Sequence, residues 1–216
     1  NSNLGSNTFT WTFDSVNPTM GITATKQNGT TSITSGSTTN DSTIILTFTS
    51  SEATSNFIAS DIVVTNGSIS NFTGTSSTVY TVNFTAAASG NCTIHVPSGK
   101  YQDTAGNNNA ASPTFTWISN TTRPDMTITA EGAASNSNIS NGSTISEPSL
   151  LLTFTSTVAT TNFISSDIVL TNGTITNTFT QASSNTHYIA TFVPNTGSSS
   201  CIIEVPASSY TDALGN

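Results

Sequence analysis

Short runs in which apolar and polar residues alternate one by one recur along the whole chain. The runs 43–49 and 80–84 each place three apolar side chains on one face. A further strand is predicted from Asp61 to Thr65, and it leads into the turn Asn66-Gly67, a dipeptide suited to a positive φ. Strict alternation predicts half-buried β-strands, and the Asn, Gly and Ser residues between the runs are typical of turns. Residues that favour strands dominate over good helix formers. The pattern therefore predicts an all-β chain made of antiparallel sandwiches.

The strand pattern occurs twice. Residues 20–67 align without a gap with residues 126–173, at a constant spacing of 106. Small insertions then raise the spacing to 109, at which Cys92 matches Cys201. A repeat of about 100 residues has the size of one domain and is too long for a solenoid unit. We predict an N-terminal strand and linker, a first domain, a short linker and a second domain, at residues 1–19, 20–118, 119–125 and 126–216.

The two copies differ at their ends. The first copy finishes with the alternating strand 114–117, whereas the second ends at Asn216, which matches Asn107. The second sandwich is therefore predicted to lack its last strand. Residues 7–13, at the start of the chain, resemble the strand that is missing.

The segment 7–13 carries Phe9, Trp11 and Phe13 on one face of a predicted strand. An unpaired strand and an open sheet edge are complementary, because such edges accept strands from other chains. We expect this segment of one molecule to complete the second domain of the next molecule. The contact is heterologous and propagates into an open filament. The alternative is that the chain is an excerpt of a longer tandem array, cut out of phase with its domains.

Several segments resemble the bacterial Ig-like repeats that occur in tandem in large surface adhesins. They are 57–67, 80–84, Val96-Pro97 and 101–107, each with a counterpart in the second copy. The resemblance implies two tandem Ig-like sandwiches that serve as stalk, adhesin or fibre. Some members of that family bind calcium between domains. Glu52 fits their acidic position after the second strand, but Val158 replaces it in the second copy.

Charge is scarce, with 6% charged residues and a net charge of −8. Three cationic residues cannot form a basic patch, which argues against nucleic acid and anionic membrane surfaces as partners. No stretch approaches the roughly 18 apolar residues of a spanning helix. The chain is rich in Ser, Thr and Asn and poor in Lys, which favours an extracellular or cell-surface location.

The residues capable of catalysis form no recognised motif. His95 and His187 face outward by alternation and are not at equivalent positions. Cys92 and Cys201 are equivalent and face inward, which predicts small buried side chains and not a disulfide. No nucleophile motif or metal-binding cysteine spacing is present in the sequence. We predict a protein that is not an enzyme and needs no cofactor.

Asp103 and Asp212 recur in matching turns that each end in Gly-Asn. The pattern predicts that the carboxylate caps backbone N–H groups while Gly supplies a positive φ. Calcium ligation by the same oxygens is the alternative.

Ten Asn residues stand in Asn-x-Ser/Thr sequons, a number that the composition alone explains. We take them as candidate glycosylation sites, because glycans would keep a weakly charged filament soluble. They are Asn28, Asn40, Asn66, Asn71, Asn83, Asn91, Asn120, Asn138, Asn141 and Asn172.

Taken together, the sequence favours a structural subunit of an extracellular fibre, assembled head-to-tail from copies of itself by strand donation. A second hypothesis is a segment of a longer cell-surface adhesin, with the repeats acting as stalk or ligand-binding module. A third is an accessory module of a surface hydrolase.

Overall fold

The structure is a computed structural model that describes residues 3–176, 179–181, 185–197 and 200–216. The chain divides into two compact units, Asn1–Thr121 and Thr122–Asn216, whose sandwiches are called domain 1 and domain 2 below. In the described residues, all regular structure is β-strand except two single-turn 3₁₀ helices. The prediction of two tandem all-β sandwiches is confirmed.

Domain 1 contains nine strands in two sheets. They are β1 (Met20–Lys26), β2 (Ser32–Ile33), β3 (Thr38–Thr39), β4 (Thr43–Ser50), β5 (Val63–Thr65), β6 (Gly67–Gly74), β7 (Val79–Ala86), β8 (Gly90–His95) and β9 (Phe115–Ser119). One sheet has the order β2-β1-β4-β7-β6 and the other β3-β9-β8-β5. All neighbours are antiparallel except the short parallel pair of β3 and β9.

The alternation read from the sequence decides which side chains lie between the sheets. Ile44, Leu46 and Phe48 of β4 are completely buried, and the residues between them are partly exposed. Strand β7 follows the same rule, with Val82 and Phe84 in the core. Alternate residues of a strand point to opposite faces, so each strand contributes one buried row.

The segment 59–66 differs from the prediction. Asp61 was expected to begin a strand, but it lies in the 3₁₀ helix Ala59–Asp61. Its Oδ2 accepts a hydrogen bond from the backbone N of Ile58 at 2.9 Å, which closes this turn, and β5 starts only at Val63. Asn66 has the expected positive φ of 51°, but the chain passes here from one sheet to the other and makes no hairpin.

The glycine after this crossing is needed for packing. A Cβ at Gly67 would overlap the ring of Phe84, and a Cβ at Gly173 would overlap Phe192 in the same way. Each aromatic ring therefore fills the space over a glycine at one end of its sandwich. The Asn-Gly pair is repeated because both residues have a structural task there.

Domain 2 repeats one sheet of domain 1 and only part of the other. Its strands are β10 (Met126–Gly132), β11 (Asn138–Ile139), β12 (Leu150–Ser156), β13 (Val169–Thr171), β14 (Gly173–Ile175), β15 (Thr180–Gln181), β16 (His187–Pro194) and β17 (Ile202–Glu204). The first sheet has the order β11-β10-β12-β16-β14, with β15 also paired to β16. The second consists of β13 and β17, and the described residues contain no counterpart of β3 or β9. This confirms the expected incomplete second sandwich.

Candidate functional site: an interface and other candidate residues

An exposed aromatic segment precedes domain 1. All residues from 3 to 17 are exposed, and none of them belongs to a strand. The side chains of Phe9, Trp11 and Phe13 are 84%, 76% and 79% exposed. Water disfavours so much apolar area, so the segment is a candidate for burial against a partner. We call residues 3–13 the N-terminal segment.

The chain that follows this segment is attached to domain 1. The side-chain amide of Asn107 donates to the backbone oxygen of Asp14 at 3.3 Å. The backbone N of Ala110 donates to the oxygen of Pro18 at 3.0 Å, and Pro18 is buried. The aromatic residues therefore project from a fixed point of domain 1.

Strand β9 has a sequence similar to that of the N-terminal segment, and its apolar side chains are buried in domain 1. Its Phe115, Trp117 and Ser119 are 5%, 0% and 1% exposed. The indole of Trp117 packs edge-on against Phe84, with ring centroids 5.9 Å apart. Its Nε1 donates to Oγ1 of Thr39 at 3.1 Å. Strand β9 thus seals the sandwich and provides one of its largest buried side chains.

The pairing of β9 with β8 fixes which residues it covers. Trp117 lies opposite Cys92, and Phe115 lies opposite Ile94. Both residues of β8 are completely buried. At a spacing of 106, Phe9-Thr10-Trp11 is identical to 115–117.

Domain 2 leaves the corresponding positions uncovered. Cys201, the counterpart of the buried Cys92, is exposed, and Ile203, the counterpart of the buried Ile94, is partly exposed. The same loss of cover affects Met126, Ala130, Ile139, Leu150, Val205 and Tyr210, whose counterparts in domain 1 are all buried. We call this surface the open groove. In domain 1 the corresponding residues belong to the buried core that also contains Phe115 and Trp117 of β9.

The exposed state of Cys201 corrects the prediction that both cysteines are buried. The alternation was read correctly, because Cys92 is fully buried and burial raises the pKa of its thiol. Cys201 faces the same way but has no closing strand over it. Its exposure therefore reports whether the open groove is occupied.

An acidic cluster lies in domain 1. Carboxylate oxygens of Asp14, Glu52 and Asp103 lie within 4.8 Å of one another. Desolvation, followed by the charges of Asp14 and Asp103, raises the pKa of Glu52. Carboxylates in this arrangement are able to hold a hard cation. The sequence pointed to Asp103, and the resemblance pointed to Glu52, but Asp14 was missed, because no short motif connects the three residues.

Asp103 and Asp212 cap turns, as the sequence indicated. Oδ1 of Asp103 accepts from the backbone N of Ala105 at 2.9 Å and of Asn107 at 2.8 Å. Burial works to raise the pKa of Asp103, but these hydrogen bonds and that of the Asn107 amide outweigh it, so the pKa is lowered. Oδ1 of Asp212 accepts from Leu214 at 2.8 Å in the same way. Among the described residues, Asp212 belongs to no acidic cluster.

The sequons differ in their surroundings. The amide nitrogen of Asn66 donates to the oxygen of Ala88 at 3.0 Å, and that of Asn172 donates to Ser200 at 2.5 Å. A glycan on either nitrogen would compete with that bond, and the left-handed φ of both residues explains why they recur. Of the remaining candidates, Asn28, Asn71, Asn91, Asn138 and Asn141 are exposed, and Asn40, Asn83 and Asn120 are half-buried.

The two histidines lie on the outside of the sheets, as predicted. His95 is half-buried on β8, and His187 is exposed on β16. Nδ1 of His187 lies 2.9 Å from Oγ1 of the neighbouring Thr186. Neither histidine belongs to the acidic cluster.

Comparison with known proteins identifies the fold family. No helix in the described residues has the length and apolar character needed to cross a bilayer. No curated protein matches the chain. The sequence model of the bacterial Ig-like domain matches twice, over residues 14–117 and 120–216. Domains of this family are typically non-catalytic and are often repeat modules of extracellular surface proteins. The chain therefore belongs to the bacterial Ig-like domain family, of which it carries two tandem copies.

Proposed function

We propose that the protein is a non-catalytic structural subunit of an extracellular fibre, assembled head-to-tail from copies of this chain. In each joint, the N-terminal segment of one copy occupies the open groove of another copy and forms the closing strand of domain 2. The observation that carries this proposal is the match between two exposed surfaces. Phe9 and Trp11 are exposed on one, and the positions that such residues cover in domain 1 are open on the other.

The pairing within domain 1 defines the register of the proposed joint. Trp117 lies opposite Cys92 and Phe115 opposite Ile94. Transferred at the repeat spacings, Trp11 lies opposite Cys201 and Phe9 opposite Ile203. The indole of Trp11 then packs against Phe192, as Trp117 packs against Phe84 in domain 1.

The free energy of apolar burial can be compared with the cost of association to see which further contacts the joint needs. Three aromatic side chains that bury ~150–250 Å² each, at ~25 cal/mol/Å², contribute on the order of 10 kcal/mol as an upper value. Association of two copies costs about 4–15 kcal/mol. Apolar burial alone is therefore of the same size as the cost. Backbone pairing and polar contacts along the segment must supply the remaining free energy.

The wild-type chain provides the test of this proposal. Among the two cysteines, Cys201 is exposed and Cys92 is buried, so a maleimide under reducing conditions distinguishes an open groove from an occupied one. We expect rapid labelling of Cys201 at low protein concentration and protection at high concentration. The sedimentation coefficient should rise over the same concentration range.

A chain that remains monomeric and reactive at Cys201 at every concentration would contradict donation between copies. The closing strand would then come from a following segment of the same polypeptide, as in a longer adhesin. Denatured protein, in which both thiols react, calibrates complete labelling. Cys92 of the folded protein calibrates complete protection.

We further propose that the native fibre carries N-linked glycans at exposed sequons such as Asn71 and Asn91. A surface with 3 cationic and 11 acidic residues among 216 has little charge to oppose lateral association. Sugars supply steric and hydration repulsion instead. Glycopeptide mass spectrometry of native material should show added hexose mass at these sites and none at Asn66. Unmodified peptides at every sequon would contradict this part of the proposal.

A further inference from the structure

One buried polar side chain holds the closing segment of domain 1 in place. Asn109 is 2% exposed. Its Oδ1 accepts from the backbone N of Lys100 at 2.7 Å and of Tyr101 at 3.0 Å. Its Nδ2 donates to the oxygen of Pro97 at 2.9 Å and of Ala110 at 2.8 Å. Asn109 therefore satisfies three backbone groups of the loop that follows β8.

A second polar contact lies three residues further along the same segment. The backbone N of Val96 donates to Oγ of Ser112 at 2.9 Å. The backbone N of Ser112 donates to the oxygen of Val96, also at 2.9 Å. Asn109 and Ser112 thus attach the segment to the loop 96–101 before β9 begins. Buried polar groups paired in this way specify one position of the segment.

Domain 2 contains the same loop without these partners. Residues 205–210 correspond to 96–101, and Ser208 has a φ of 66°, close to the 71° of Gly99. In the described part of the chain, no hydrogen bond reaches the backbone N of Val205, Ser209 or Tyr210. The loop of domain 2 thus offers backbone N–H groups whose counterparts in domain 1 donate to Asn109 and Ser112.

The N-terminal segment carries both missing side chains at the required spacing. At the constant spacing of 106, Asn3 corresponds to Asn109 and Ser6 to Ser112. Asn3 is exposed, and its Nδ2 already donates to the oxygen of Leu4, 3.3 Å away. This is the bond that Asn109 makes to Ala110. The similarity therefore extends at least four residues to the N-terminal side of the aromatic run 7–13.

We infer that Asn3 and Ser6 form a polar lock that fixes the N-terminal segment of one copy to the loop 205–210 of another. This inference rests on the proposed strand donation. In the joint, Oδ1 of Asn3 accepts from the backbone N of Ser209 and Tyr210, and Oγ of Ser6 accepts from Val205. The oxygen of Pro206 receives Nδ2 of Asn3 beside the Oγ of Ser209 that it already binds.

The polar lock fixes the register of the segment in the joint, which the aromatic run 8–13 does not fix by itself. In residues 8–13, Thr and aromatic residues alternate strictly, so a slip by two residues keeps the same face inward. Such a slip would place Phe13 or Phe9 where Trp11 belongs and leave the loop 205–210 unpaired. An asparagine with several backbone partners at one position excludes it, because buried polar groups left without a bond are costly.

The test compares alanine variants of the full chain by sedimentation equilibrium and by protection of Cys201. Loss of two or three net hydrogen bonds in Asn3→Ala should weaken assembly by about tenfold to a hundredfold. Ser6→Ala should weaken it by about threefold to tenfold. Asn7→Ala is the matched control, because its counterpart Pro113 has no side-chain donor or acceptor, and it should assemble like the wild type.

Asn109→Ala separates the lock from general stability. It removes the same side chain from domain 1 and should lower the melting temperature of that domain, with assembly unchanged. If Asn3→Ala assembles like Asn7→Ala while loss of Trp11 abolishes assembly, the polar lock is wrong and strand donation stands. If both Asn3→Ala and the variant without Trp11 assemble like the wild type, strand donation is wrong, and the polar lock is wrong with it.

Discussion

We expect the Trp11→Ala chain to stay monomeric at concentrations at which the wild-type chain is proposed to assemble, and its Cys201 to stay reactive. The counterpart Trp117 is completely buried and packs on Phe84, so Trp11 is expected to provide the largest contact of the joint. Truncating a buried Trp costs about 3–5 kcal/mol, which corresponds to a loss of a hundredfold or more in affinity. Sedimentation velocity and maleimide labelling measure both effects on the same samples.

Two variants show whether the effect belongs to the inward face of the segment. Thr12→Ala changes a residue whose counterpart Ile118 is 37% exposed, and it should assemble within about 0.5 kcal/mol of the wild type. Trp117→Ala removes the same side chain from domain 1 and should destabilise that domain by about 3–5 kcal/mol. Assembly of Trp11→Ala at wild-type strength would show that the aromatic segment is not the donor.

The sequence predicted the strands well where alternation was strict. In β4 and β7 each apolar residue of the pattern is buried, because a half-buried strand has no other way to place its side chains. Alternation failed at Asp61, where a side-chain hydrogen bond to Ile58 replaced the strand by a 3₁₀ turn. A bond between residues three apart has no signature in a period-two pattern.

The incomplete second sandwich was predictable because the repeat provided an internal reference. Comparing the two copies showed which strand the second one lacks, and the sheet orders agree with it. The exposure of Cys201 did not follow from its own surroundings in sequence, because it depends on whether a closing strand lies beside it, as Trp117 of β9 lies opposite Cys92 in domain 1. Contacts of this kind appear only when the sheets are assembled.

The polar candidates show the limit of reasoning from sequence most clearly. Asn66 and Asn172 are sequons that match between the two repeats, yet their amide nitrogens donate to backbone oxygens of the fold. Asn109 had no motif, yet its side chain binds three backbone groups of the loop before it. The partners of a polar side chain depend on loop geometry, which composition and spacing do not determine.

A chain extended by its own closing segment gives the second large effect. Asn216 occupies the place of Asn107, so a copy of residues 108–119 appended after Asn216 continues directly into the open groove. The added strand is covalently attached and avoids the cost of association. We expect the melting temperature of domain 2 to rise by at least about 10 °C, since each kcal/mol shifts a domain of this size by about 4–8 °C. Calorimetry measures the shift.

The same extension should block assembly, because a groove that is filled in cis has no room for the segment of another copy. Cys201 should then be protected at every protein concentration, as Cys92 is in domain 1. An extension with alanine at the position copied from Trp117 is the control, and it should neither protect Cys201 nor raise the melting temperature as far. If the intact extension leaves both quantities unchanged, the open groove does not accept a closing strand. If the extension protects Cys201 and raises the melting temperature, domain 2 accepts a closing strand, from the same chain or from another molecule. The concentration dependence of the unextended chain then shows which of the two sources the fibre uses.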